Sequence, residues 1–167
     1  MWPKREDLTP PGSDVRYLVR WVLFRWGGRV IYLHKIESSD WAREPHDHPK
    51  WFVSIGLWGS YMEEVYEANI TPRSLMCVEH REWRAPWFRK FPATHIHRLL
   101  ITKGVAWTLV FTGKHTQDWG FYDEQGNKTL YAEFVARHQS AQRAERTYNE
   151  RTQAQAETYS PIFGNRH

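Results

Sequence analysis

The sequence predicts an all-β protein, a small sandwich or barrel, with one α-helix added at its C-terminal end. Three observations carry that reading. Apolar, β-branched and aromatic runs recur at short regular spacing between turn signals. Aromatic residues make up 16% of the 167 positions, ten of them tryptophan, a load that suits an ordered β-rich interior. From Glu133 to Thr158 the character changes to Ala, Gln, Glu and Arg with no Gly or Pro, which favours a helix.

The elements follow in order. Residues 1–14, with Pro3, Pro10, Pro11 and Gly12, read as an irregular N-terminal arm ahead of a barrel over 15–134 and a helix and tail over 135–167. Val15 to Trp26 fits a strand or a short amphipathic helix. Gly27-Gly28 turns the chain into a strand over Arg29 to Ile36. After a polar connection, Trp51 to Trp58 and Ser60 to Glu67 form two strands bent at Gly59. Arg73 to Glu79 adds another. Arg84 to Thr94, with Pro86 and Pro92, reads as a loop. His95 to Thr102 and Val105 to Thr112 flank Lys103-Gly104 as a hairpin. Asp118 to Tyr122 and Lys128 to Phe134 close the set around a turn at 123–127. The helix carries a thin apolar stripe of Phe134, Val135, Ala141, Ala144 and Tyr148, suited to packing on the barrel or on a partner.

Charge and cysteine usage narrow the function. The formal charge is +4, with no block of Lys or Arg, so nucleic-acid binding is permitted but not indicated. The one cysteine, Cys77, reads as a small buried hydrophobe and suits a reducing compartment. The first thirty residues lack a signal peptide's apolar centre, and no apolar run is long enough for a membrane span. A cytoplasmic protein is the expectation.

The chemistry concentrates in histidines. His46-Asp47-His48 places two imidazoles on one face of an extended segment, because strand side chains alternate with period two. Neutral imidazole is a ligand for zinc, iron, copper and nickel. A second His-x-His, His95-Ile96-His97, offers the third ligand. Asp47 points the other way and holds the loop or a nearby arginine.

These motifs resemble those of the cupin superfamily, the RmlC-like jelly-roll barrels. The first cupin motif pairs His-x-His with a glutamate and then a glycine; His46, His48 and Gly59 match, and Phe52 stands in the glutamate's place. The second motif, Pro-x-Gly-x-x-His followed by Asn, is matched at Pro92 and His97, with Thr94 for the glycine and Ile101 for the asparagine. More narrowly, His46 to Pro49, Gly59 to Glu63, His97-Arg98, Trp107 to Leu109 and Trp119 to Phe121 resemble short, uncharacterised cupin-like proteins of phages and bacteria. The resemblance implies a double-stranded β-helix whose divalent transition metal is held by His46, His48 and His97. Fe(II) is favoured over Zn, Mn or Ni.

The loss of the carboxylate at Phe52 leaves two alternatives. The site is three-histidine, as in thiol dioxygenases, or Glu63 completes it from the strand after Gly59. Tyr61, Glu63 and His95 are the candidate catalytic residues, as groups that orient substrate or move protons. His34, Trp107 and Arg98 are the candidate substrate-pocket residues. The leading function is a metal-dependent enzyme on a small molecule, an iron dioxygenase or a non-redox isomerase, lyase or hydrolase. Two-oxoglutarate dependence is disfavoured because residue 48 is His and not a carboxylate. The alternative is a non-catalytic module binding a nucleotide, sugar or protein. Homodimerisation through the sheets is the expected mode of self-association.

Overall fold

The computed structural model describes residues 3–9, 15–70 and 73–159, apart from the side chains of 70, 142, 146, 148 and 150–159. Two antiparallel sheets face each other. One has six strands: β1 (Lys4–Leu8), β2 (Leu18–Trp26), β3 (Arg29–Ile36), β4 (Phe52–Trp58), β7 (Trp87–Phe91) and β9 (Ala106–Thr112), in the order β1-β2-β3-β9-β4-β7. The other is built from β5 (Ser60–Ile70), β6 (Arg73–Arg84) and β8 (Ile96–Leu100), in the order β6-β5-β8. It continues through His46, which bridges His97 on β8 and Phe121 on β10 (Gly120–Tyr122), and then to β11 (Lys128–Leu130). The His46 segment is therefore a strip of that sheet.

Leu18, Ile36, Tyr61, Leu99 and Ala106 fill one end of the barrel, with Trp83 and Trp87 packed against them. Gly59 takes the chain from one sheet to the other at φ 78°, and a Cβ there would lie 2.0 Å from the Val105 carbonyl oxygen. Only glycine meets both conditions. Helix α1 (Tyr131–Tyr159) docks by its first turns: the Phe134 ring stacks on Phe121 with centroids 4.0 Å apart, and Trp41 meets both edge-on.

Several expectations are corrected. Part of the expected irregular arm is strand β1, whose backbone pairs with β2 over Lys4↔Val22 to Leu8↔Leu18; residues 10–14 lie outside the described residues. The strand-or-helix alternative at Val15 to Trp26 resolves as a strand. The expected loop after Arg84 contains β7, an edge strand on β4. Lys103-Gly104 is no hairpin: β8 pairs with β5 and β9 pairs with β3 and β4, so this turn crosses between the sheets. Strand β11 stops at Leu130, where α1 begins. Ala141 and Ala144 are exposed, and the Tyr148 side chain lies outside the described residues. Cys77 is exposed on β6, opposite Tyr66, where the β5–β8 pairing ends.

Candidate metal centre

The backbone brings three imidazoles together before any side-chain chemistry is invoked. His46 and His97 exchange both of their hydrogen bonds, N to O at 2.9 and 3.0 Å, so they lie directly opposite each other on neighbouring strips. His48 follows at period two and is anchored by its N–H to the Ala93 carbonyl at 3.0 Å. The ring centroids of His46, His48 and His97 stand 4.8 to 5.1 Å apart, a near-equilateral triangle. Each offers a nitrogen within 4.8 Å of the other two.

Two further observations fit a metal ion. The His48 and His97 Nε2 atoms are 2.8 Å apart. Two imidazole nitrogens sharing one ion at about 2.1 Å stand about 3 Å from each other. Burial also lowers the His46 pKa to about 4, with Asp40 opposing and His97 assisting that shift. It takes His48 well below the usual histidine range, again with His97 assisting. Both imidazoles are therefore neutral near pH 7, the form that carries a lone pair.

Glu63 sits behind the triad and is fully buried. Its Oε1 accepts from His97 Nδ1 at 2.6 Å and from His95 Nε2 at 2.8 Å, and its Oε2 accepts from Trp83 Nε1 at 2.6 Å. Burial pushes its pKa upward, but the hydrogen bonds from His95, His97 and Trp83 outweigh this and leave it lowered. An ionised Glu63 accepts only, so it fixes the proton of His97 on Nδ1 and leaves Nε2 as the lone pair of the triad. Glu63, His95 and His97 also offer ligand atoms within 4.8 Å of one another, yet those atoms are already engaged in this hydrogen-bonded chain. We expect Glu63→Gln to keep the fold and weaken metal affinity about 10–100-fold, measured by competition with a chromophoric chelator.

The other expected residues divide clearly. Phe52, at the place of the missing carboxylate, meets the His48 ring edge-on at 4.7 Å and stacks on Phe91 at 4.8 Å. A hydrophobic wall thus stands where a fourth ligand would be. The triad opens on a cavity of about 490 Å³ between the sheets. His34 and Tyr61 line it, Tyr61 beside the core cluster of Leu18, Ile36, Leu99 and Ala106. Trp107 does not: it faces outward and stacks on Trp21 at 5.5 Å. Arg98 also faces away from the cavity and pairs with Glu64 at 3.6 Å. Both follow from alternation, since their neighbours Thr108 and His97 take the inward positions. Asp47 points away from the triad, 1% exposed, and its partners among the described residues include no arginine. It accepts from Gln117 Nε2, the Gly120 N–H, Tyr122 Oη and Lys128 Nζ at 2.6 to 2.9 Å.

Arg20 was not singled out from the sequence, although it lines the cavity. The available signal was a charged residue at the parity of Leu18 and Val22 inside an apolar run.

No protein-family model and no curated protein matches the sequence. Solved structures do match in three dimensions. The DMSP lyase DddQ from Ruegeria pomeroyi superposes with a TM-score of 0.51 at 15% identity, over 75% of this chain and 64% of that one. The chain has the cupin jelly-roll fold. A cupin-2 domain from Rhodospirillum rubrum gives 0.49 at 9% identity, covering 80% of each chain. The Fe(II) form of HppE gives 0.49 at 12% identity, over 66% of this chain and 57% of that one. The chain thus spans less than two thirds of the length of DddQ and of HppE. Within this cupin barrel the His46 strip occupies the sheet facing β2, β3 and β9, so the triad looks across the cavity at their inward side chains.

Proposed function

We propose that the chain is a metal-dependent cupin enzyme acting on a small molecule, with the ion held by His46, His48 and His97. One observation carries this reading: the three imidazoles converge on the wall of a cavity between the sheets, with Phe52 where a fourth side-chain ligand would close the site. A structural metal site is usually filled by protein ligands, whereas a catalytic one keeps room for substrate or water. A set of three imidazoles suits iron, zinc, nickel or copper, and iron(II) is the ion we favour. When bound, the ion would supply Lewis-acid activation of a substrate oxygen, and iron would add redox chemistry with dioxygen.

The chain's own residues have separate tasks. Glu63 holds the proton on His97 Nδ1 and keeps that ring oriented. His95 keeps an N–H on Glu63 from the other side, which makes it a positioning residue. The stacked pairs Phe52–Phe91 and Trp119–Tyr131, the latter at 4.4 Å, line the cavity with aromatic surface. Tyr61 lines it beside the core.

The test is metal analysis of protein purified without oxygen, followed by oxygen-electrode measurements with candidate small molecules. Iron with substrate-dependent oxygen uptake supports the dioxygenase branch. Zinc or manganese without uptake, but with turnover, supports the non-redox branch. Bound metal with neither would favour the binding module, and absence of stoichiometric metal would overturn the proposal.

A further inference from the structure

The wall opposite the triad carries polar groups that its own packing does not use. Backbone register sets Glu6, Arg20, His34 and Thr108 in one row across β1, β2, β3 and β9. Arg20, His34 and Thr108 line the cavity. Arg20 donates through Nε to Glu6 Oε2 at 2.7 Å, and its guanidinium lies 4.9 Å from the Tyr32 ring centroid. Its two Nη groups make no hydrogen bond among the described residues. His34 Nε2 is buried and has no hydrogen-bond partner among the described residues. Burial, with help from Arg20, lowers the His34 pKa to about 3, so the ring is neutral and offers both a donor and an acceptor. Buried polar atoms in native proteins are almost always paired, so an orphan on a cavity wall calls for a partner within the cavity, water or ligand.

We propose that Arg20 and His34 form a carboxylate-receiving subsite, so that the cavity takes a small carboxylic acid whose other end reaches the histidine triad. The guanidinium fork matches a planar carboxylate in a bidentate way. Charge favours a monoanion over a phosphate dianion, because Glu6 already offsets part of the Arg20 charge. Tyr32 holds the guanidinium in place from below. The triad end of this assignment rests on the metal-dependent reading above; the Arg20 end does not.

The test uses propionate and its neutral analogue propionamide, titrated into metal-free protein while the NMR signals of the His34 ring C–H and the Arg20 Nε–H are followed. Propionate should bind saturably and at least about tenfold more tightly than propionamide. Arg20→Gln should weaken propionate by about tenfold or more. Glu6→Gln should tighten it about threefold, because the competing carboxylate is gone. That gain is the decisive arm, since a purely structural Arg20–Glu6 pair would show no gain, and it stands even if Arg20→Gln fails to fold. Equal binding of acid and amide, or no gain in Glu6→Gln, overturns the subsite. Metal content is measured on the same proteins: its absence from the wild type counts against the metal-dependent reading alone.

Discussion

His46→Ala and His97→Ala should each reduce bound metal from about one ion per chain to under about a tenth, read by elemental analysis after gel filtration. The loss should exceed the roughly 10–100-fold cost of removing an outer partner such as Glu63, because a direct donor is gone. The fold should survive. His46 and His97 pair through backbone N–H and C=O groups that alanine retains. Metal-free His46→Ala should therefore melt within a few degrees of metal-free wild type, whereas His97→Ala also removes a donor to the buried Glu63 carboxylate and should melt lower; circular-dichroism melts check both. A mutant that keeps full metal content would remove these residues from the site.

Asp47→Asn should do the reverse and damage the framework. The buried carboxylate accepts four hydrogen bonds, one from the Lys128 ammonium. Removing one partner of a buried charged network costs about 3–5 kcal/mol, and partial exposure of Lys128 places this case near the lower end. For a chain of this size that corresponds to a fall in Tm of about 10 °C. Metal affinity should drop as a consequence, since the peptide on either side of Asp47 carries His46 and His48. Thermal melts of metal-free protein separate the two effects: an unchanged Tm would mean that the network contributes little.

What was legible in the sequence follows from period two. His46-x-His48 and His97 could be found because imidazoles at those spacings have few other reasons to recur, and the bend at Gly59 was visible for a similar reason. The facing of β9 was not. Its outward side carries Trp107, Leu109 and Phe111, whereas its inward side carries Thr108, Val110 and Thr112. On this strand two threonines face the cavity and two aromatics face away from it, so the usual rule of apolar side inward selects the wrong face. Trp107 was misplaced by that inversion, and Arg20 was overlooked for the same reason. The Lys103-Gly104 crossing was illegible because a turn between paired strands and a turn between sheets use the same residues. Glu63 could be read as a candidate ligand, but its position behind His97 depends on the β5–β8 pairing, which the chain does not announce.

The strip at 46–48 divides its duties by alternation. The residues at 46 and 48 face the cavity, and the residue at 47 faces the framework. Chemistry and architecture are thus interleaved along three successive positions, and the donors can change without the framework although the framework cannot change without the donors. A descendant of this chain could exchange its donors at 46 and 48, and with them the ion or the reaction, while the barrel stayed shut. It could not freely exchange position 47. The seam gives this fold room to change its chemistry without first risking its shape.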